Sequence, residues 1–308
     1  MSPFIKLFRS PYFALTVVPL IWGSNFIVGK HLVASLPPFA LTTGRFTVAL
    51  LCLLPVYLYN RIKHPPGKIR GSTWFLLFFL GLTGVFAFNT LLYAGLRHTS
   101  PVNATLINAL NPTLTVLMSL LILGEKAPRR QVLALVFSFA GVAWIALQGQ
   151  PARLVSLAFN PGDLVILFGT LVWAVYSVGV KKAVTTVSPL AATTLSIFLG
   201  LLLLFPATYI ELTHYPVSPL TWETVLALIY LGVFPSVIGF WLWNRGIGQV
   251  GPGKAAMFYN LIPPFTAVMN YLFLSEVPKA YHVAGGFLVL WGVIWGTKPA
   301  ERRNSVFR

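Results

Sequence analysis

The stretch PTLTVLMSLLILGE, residues 112–125, returns as PPFTAVMNYLFLSE at 263–276, with six of fourteen positions identical and a displacement of 151 residues in a chain of 308. Sliding the chain against itself by that displacement, without a gap, brings Trp22 onto Trp173, Lys30 onto Lys181, Pro38 onto Pro189 and Pro55 onto Pro206. It also brings Gly81 onto Gly232, Pro101 onto Pro252, Gly141 onto Gly292 and Trp144 onto Trp295. A single offset covering so much of the chain implies a duplicated unit. Whatever the first half folds into, the second half must fold into as well.

The solvent of that unit follows from polarity. Apolar residues make up 56% of the chain and charged residues 9%, with a mean hydropathy of +0.79. Soluble domains carry about a quarter charged residues, so this chain lacks the polar surface to face water. Uncharged apolar runs long enough to cross roughly 30 Å of hydrocarbon recur along it. Ten spans are predicted, at 12–31, 38–59, 73–96, 101–123, 131–148, 162–180, 189–210, 223–244, 254–274 and 280–297. The first follows Lys6 and Arg9 but is long and lacks a small-residue cleavage site, so it is read as a retained anchor. Cys52 is alone, which leaves neither a disulfide nor a cysteine-rich metal site.

Five spans per half is an odd number, so the second half must enter the membrane upside down relative to the first. The charges agree. Residues 61–70 hold Arg61, Lys63, Lys68 and Arg70, while the equivalent 212–221 holds no lysine or arginine. With an even total, both termini share one side. That side collects 17 Lys/Arg residues, against Lys30, Arg97, Arg153 and Lys279 on the other. The bias places both termini in the cytoplasm. The net charge of +16 is therefore a topology signal with some affinity for anionic lipid, and nucleic-acid binding is excluded as its purpose. The expected fold is an all-α membrane protein of ten transmembrane helices in two inverted-topology five-helix repeats, at 1–148 and 161–297. Residues 149–160 connect them and 298–308 form a basic tail. Inverted repeats are the architecture that lets secondary transporters open alternately to each side.

Three stretches carry a resemblance. WGSNFIVGK at the first span, TTGRFTVALLCLLP at the second with its early arginine, and YAGLRHTSPVNATLINALNPTLTVLMSLLILGE through the third and fourth resemble the drug/metabolite transporter superfamily, in its EamA-like branch. The resemblance covers nearly the whole chain. One departure is Ser275 before Glu276, where the first half has Gly124. The resemblance implies a ten-helix transporter of small organic metabolites, favours export, and makes amino acids or their relatives the leading substrate class.

Helix geometry selects candidate pathway residues. Asn108, Pro112, Thr115 and Ser119 fall on one face of the fourth span, and Tyr259, Pro263, Thr266 and Asn270 are their equivalents in the ninth. Pro112 removes the amide that would bond the Asn108 carbonyl, and Pro263 does the same for Tyr259, so both helices should kink beside polar side chains. Gluing helices together is the competing role for this stripe. Trp22 with Asn25, and Trp173 with Tyr176, add aromatic faces and hydrogen-bonding groups in the first and sixth spans; Asn89 with Tyr93, and Trp243 with Asn244, do so in the third and eighth. Arg45 is the one charge well inside a span, read either as an anchor for a substrate carboxylate or as a structural charge. Glu125 and Glu276, with Lys30 and Lys181, end their spans at opposite faces and are gate or interfacial candidates. Lys126, Arg129 and Arg130 surround Glu125, so an interfacial ion pair or a gate contact is expected there. Gly285, Gly292 and Gly296, with Ala134 and Gly141 at matching places in the fifth span, predict close helix packing within the chain or in a homodimer.

The acidic residues and histidines all lie at span ends or in loops, and no phosphate-binding glycine loop or serine elbow is present. The chain is accordingly read as a non-enzymatic secondary transporter without cofactor or metal, working in the cytoplasmic membrane on a small-molecule substrate. Any proton coupling would have to use Glu125, Asp163 or Glu276. Drug or xenobiotic efflux is the alternative, and a passive channel-like pore the next.

Overall fold

The computed structural model of the protein describes residues 10–65, 69–99, 101–155, 160–215, 220–274, 277 and 279–298. These residues are almost entirely helical, with no strand among them. In chain order the helices are α1 (Pro11–Leu32), α2 (Pro38–Lys63), α3 (Gly71–His98), α4 (Pro101–Asn108), α5 (Asn111–Leu123) and α6 (Arg129–Ala146). The second half repeats them as α7 (Pro161–Ala183), α8 (Pro189–His214), α9 (Trp222–Val250), α10 (Pro252–Met257), α11 (Ile262–Leu274) and α12 (Ala280–Thr297). Among the described residues nine helical runs are long and apolar enough to cross a membrane. The remaining span, expected at 254–274, is an interrupted helix made of α10, a 3-10 turn over Phe258–Leu261, and α11.

Proline sets where the helices begin. Pro11, Pro38, Pro161, Pro189 and Pro252 open α1, α2, α7, α8 and α10. At the first helical position the missing N–H was unpaired anyway and the fixed φ is already helical. Inside a helix the same residue interrupts. The fourth span breaks at Ala109–Leu110, just before Pro112, and the ninth at Phe258–Leu261, just before Pro263 and Pro264. The predicted kinks are thus full breaks, at equivalent places in the two halves. α5 ends on Gly124 in the left-handed region, φ +69°, where an L side chain is strained. The Gly124 N–H bonds the Leu120 carbonyl at 3.0 Å and the Glu125 N–H bonds that of Ser119 at 3.3 Å. This is the glycine-terminated C-cap, so the Gly-Glu pair stops the helix.

The molecule is apolar outside, and its largely apolar core holds buried polar groups. Leu51, Ile62, Phe75, Leu121, Val136, Leu164, Phe287 and Ile294 are exposed, whereas Arg45, Asn89, Thr193, Ser196, Ser236 and Asn244 are buried. Such a surface suits lipid, and every internal polar group then needs a protein partner. The halves interlock through matched π-helical stretches, Gly81–Ala87 in α3 and Gly232–Gly239 in α9. A methyl group on Gly81 would stand 2.6 Å from the Ser196 carbonyl oxygen of α8, and one on Gly232 would stand 2.8 Å from the Arg45 carbonyl oxygen of α2. Arg45 and Ser196 are themselves related by the offset of 151, so each contact is the image of the other. The small-residue faces of α6 and α12 meet within the chain: a methyl on Gly141 would lie 2.6 Å from the Gly285 carbonyl oxygen, and one on Gly292 would lie 2.7 Å from that of Ala134.

Candidate functional site

The centre of the molecule is organised by Arg45, 1% exposed. Its Nε donates to Ser236 Oγ on α9 at 2.9 Å, and Nη1 is shared among Asn25 Oδ1 on α1 at 3.0 Å, Asn89 Oδ1 on α3 at 3.3 Å and the Tyr93 hydroxyl at 2.5 Å. The guanidinium carbon also lies 5.0 Å from the Phe46 ring centre. No carboxylate of the described residues is among these partners, and Nη2 donates to none of their atoms. Four helices are therefore tied to one positive charge that only neutral dipoles compensate. The π-helical stretches make this feasible. Ser236 lies within the one in α9 and donates to the Leu231 carbonyl five residues back, while the Asn89 amide reaches back to Gly84 in the same way. A single extra residue per turn re-aims side chains that an unbroken α-helix would point elsewhere.

Arg45 borders a small cavity of about 20 Å³ walled by Trp22, Asn25, Phe88, Asn89, Leu92, Trp173, Phe240 and Tyr259. The rings meet edge to face or tilted, Trp22 lying 5.2 Å from Trp173 and from Trp243, and 5.9 Å from Tyr259. Such pairs are worth about 0.5–1.5 kcal/mol each beyond the area they bury. The Trp22 indole N–H donates to the Pro235 carbonyl at 3.2 Å, whereas the indole nitrogens of Trp173 and Trp243 are buried without a partner.

The sequence candidates from the first, third, sixth and eighth spans thus converge. Tyr93 donates to Asn25 at 3.1 Å in the first half, and Tyr176 donates to Asn244 at 2.9 Å in the second. Asn25 and Tyr176 occupy equivalent positions, as do Tyr93 and Asn244. The same tyrosine–asparagine bridge is therefore built twice with its ends exchanged. Only one copy holds a charge: Arg45 has Ser196 as its equivalent.

The stripe on the interrupted helices divides. Asn108, Tyr259, Pro263 and Thr266 line a cavity of about 480 Å³ at the Lys30 end of the molecule, bounded also by Ile27, Lys30 and Asn260. Tyr259 walls both this cavity and the central one. Pro112 and Thr115 are buried instead, and Thr115 donates to Asn111 at 3.3 Å. Ser119 lines a separate cavity of about 510 Å³ at the opposite end, with Glu125 and Lys181. The backbone of Asn270 belongs to α11; its side chain, and the whole of Glu276, lie outside the described residues.

The two ends of the molecule differ. Ile27 is 41% exposed, while its equivalent Val178 is fully buried. Lys30 donates to the Leu96 carbonyl at 2.6 Å and Lys181 to that of Gly248 at 3.3 Å, each satisfying a carbonyl in the last turn of a neighbouring helix. Glu125 corrects an expectation. Its carboxylate accepts from Ser119 at 2.7 Å rather than pairing with Lys126, Arg129 or Arg130, because the C-cap turns the chain back over the end of α5. Asp163 is engaged too: it accepts the Asn160 N–H at 2.8 Å and the Thr99 hydroxyl, capping α7.

Sequence reasoning missed Ser236, Phe240, Phe88 and Asn260. Helical periodicity of 3.6 mis-phases the first three around the π-helical stretches, and the fourth sits in a 3-10 turn that a continuous-helix reading does not contain. A fifth, Glu211 on α8, accepts the N–H groups of Phe39 at 3.2 Å and Ala40 at 2.9 Å, pinning the start of α2.

Known proteins share this fold. A solved crystal structure superposes with a TM-score of 0.73 at 20% identity, covering 92% of this chain and 95% of its own. An uncharacterized transporter YyaM of Bacillus subtilis is 31% identical over 92% of both chains, and an uncharacterized transporter of Archaeoglobus fulgidus is 32% identical over 91% of this chain and 94% of its own. A probable terminal-alkyne amino-acid exporter of Streptantibioticus cattleyicolor is 26% identical over 91% of both. The profile of one family matches twice, at residues 9–147 and 160–296, starting points that differ by the same 151 residues as the internal repeat. A duplicated, multi-pass helical membrane protein with these relatives is a transporter, and the chain belongs to the EamA-like transporter family.

Proposed function

We propose that this protein is a secondary transporter that exports amino acids or closely related zwitterions across the cytoplasmic membrane by alternating access, with both termini in the cytoplasm. The observation that carries the substrate class is Arg45. A buried guanidinium with no acid bonded to it and one amino group undonated, on an aromatic-walled cavity, is a receptor for one carboxylate. Several phosphates would call for more than this one charge. The amino-acid exporter among its relatives supports the same class.

Alternating access is supported by the asymmetry between ends. The repeats are equivalent in sequence but not in packing. A cavity reaches Tyr259 from the Lys30 end, while at the opposite end the positions equivalent to Ile27 and Thr266 are closed over. Exchanging the packing of the two repeats would close the first end and open the second. The central void of about 20 Å³ is too small for an organic solute, so the aromatic rings must part to admit one.

Drug efflux is the second reading, favoured by the aromatic walls alone; a cationic drug would meet Arg45 with no carboxylate to receive it. Reconstituted protein settles the matter. Radiolabelled amino acids and a cationic dye are followed in parallel, with and without a pH gradient. Saturable amino-acid counterflow that falls at least about tenfold in Arg45→Gln is the expected result. Dye movement without amino-acid flux would assign the protein to drug efflux.

A further inference from the structure

The cavity at the Lys30 end has a chemical character that its lining residues do not announce. Asn108 and Asn260 both border it, and both are buried. Each amide is oriented by its donor side: Asn108 Nδ2 gives to the Ala104 carbonyl at 2.9 Å and Asn260 Nδ2 gives to Ser138 Oγ at 3.0 Å. The Oδ1 of each is buried without a partner, covered by the cavity lining as packed here and reached when that lining parts. A buried acceptor in that condition costs about 1–3 kcal/mol, so a pair of them on one cavity needs a reason.

The backbone adds a third acceptor. The residues three and four beyond Asn260 are Pro263 and Pro264, which carry no N–H. The Asn260 carbonyl can therefore make neither the 3-10 nor the α-helical hydrogen bond. One helical segment also ends here, α4 at Asn108, and helix C-termini carry the negative end of the dipole. The described lining residues include no carboxylate, and Lys30, on the rim, is engaged with Leu96. The unpaired amide oxygens of Asn108 and Asn260 can only accept, while the hydroxyls of Tyr259 and Tyr281 can accept or donate.

We propose that Asn108 Oδ1, Asn260 Oδ1 and the Asn260 carbonyl form a binding site for a primary ammonium group, that of the transported solute. The count of acceptors decides between ligands. A hard metal cation such as Ca²⁺ takes about six to eight oxygens, whereas an –NH₃⁺ group has three donors to place. Tyr259, which walls both cavities, adds a ring face of the kind that attracts cations. The inference rests on the reading of Arg45 as carboxylate receptor: with the aromatic rings parted, Tyr259 among them, the two sites recognise the carboxylate and the ammonium of one zwitterion. Asn260 thereby becomes a specificity residue for solutes that keep a free amine.

The test is equilibrium binding to the purified protein, read by its tryptophan fluorescence, with L-phenylalanine, 3-phenylpropionate (which lacks the amine) and 2-phenylethylamine (which lacks the carboxylate). L-phenylalanine should bind about tenfold or more tighter than 3-phenylpropionate, and Asn108→Ala and Asn260→Ala should each erase that preference. Asn108→Asp should tighten 2-phenylethylamine, a gain that misfolding cannot mimic. Equal binding of L-phenylalanine and 3-phenylpropionate by the natural protein, or a preference that survives both alanine variants, overturns the ammonium site and leaves the carboxylate reading standing. Tightening of 2-phenylethylamine by Asn108→Asp, with L-phenylalanine bound no better than 2-phenylethylamine and no worse in Arg45→Gln, would sink the carboxylate reading and keep the ammonium site. Displacement of 2-phenylethylamine by millimolar Na⁺, but not by choline, would reassign the oxygens to a free ion and overturn the proposal. Binding of none of the three would overturn both.

Discussion

Arg45 shows how a single residue can be legible and yet not understood from sequence. Its depth in the second span marks it as functional or structural, and the alternatives separate only when its partners are seen. Ser236, Asn25, Asn89 and Tyr93 hold the guanidinium in one orientation, so its role as receptor depends on them. Ser236→Ala removes the acceptor of Nε and is expected to cost about 1–3 kcal/mol of stability. It should also weaken carboxylate binding, while the amine-only probe binds as before; thermal unfolding in detergent and the fluorescence titration measure the two effects. Gly124 behaves differently. At φ +69° its replacement by alanine should cost about 1 kcal/mol through backbone strain alone. With Glu125 bonded to Ser119 and away from the central cavity, solute preference should not change. A shift in solute preference in Gly124→Ala would mean that the C-cap communicates with the centre.

At the scale of elements, interruption is the organising device. α3 and α9 keep their axes but take on an extra residue per turn at Gly81–Ala87 and Gly232–Gly239, and the fourth and ninth spans break outright. Each irregularity aims backbone or polar side chains at the interior, the only place in a bilayer where such groups are tolerated. Replacing Pro263 and Pro264 together by alanine restores two N–H groups and favours a continuous helix from α10 into α11. Flux should fall at least about tenfold with helix content unchanged by circular dichroism, because the Asn260 carbonyl would be drawn into the helix ladder and its side chain turned with it. Glu211 is the other element-scale prediction. Its carboxylate sits at the positive end of α2, and Glu211→Gln, isosteric but neutral, should cost about 0.3–1 kcal/mol. Glu211→Ala, which also leaves two N–H groups unbonded, should cost more.

For the whole molecule the question is which face opens where. In a Cys52→Ser background, a cysteine at Leu154 should react with an impermeant maleimide on intact cells, whereas one at His64 or Lys182 should react only after permeabilisation. The opposite pattern would invert the topology. A cysteine at Ile27 should be modified from the Leu154 side in the state described here, and one at Val178 protected, matching their exposures of 41% and 0%. Solute that drives alternation should raise labelling at Val178 from the other side. Invariant labelling at both positions under saturating solute would argue for a fixed pore.

The division between what the chain declared and what the fold decided follows from the range of the interactions concerned. Low charge, apolar run lengths, the offset of 151 and the Lys/Arg bias are properties of residues counted along the chain. They led directly to a ten-span duplicated membrane protein and to kinks at Pro112 and Pro263, because proline chemistry is local. The aromatic and amide candidates around Trp22 and Trp173 were also legible, since a polar side chain repeated inside two apolar spans has nowhere to go but inward. Three things were not. Periodicity assumes 3.6 residues per turn, so it could not phase Ser236 or Phe240 past a π-helical stretch, nor see Asn260 in a 3-10 turn. It drew Asn108, Thr115 and Ser119 as one continuous face, whereas the break sends Asn108 to one cavity, buries Thr115, and leaves Ser119 at the other end. And no count along the chain shows that Ile27 is exposed where its equivalent Val178 is buried. Two repeats with matching residues pack differently because each rests against the other, and that difference exists only in three dimensions.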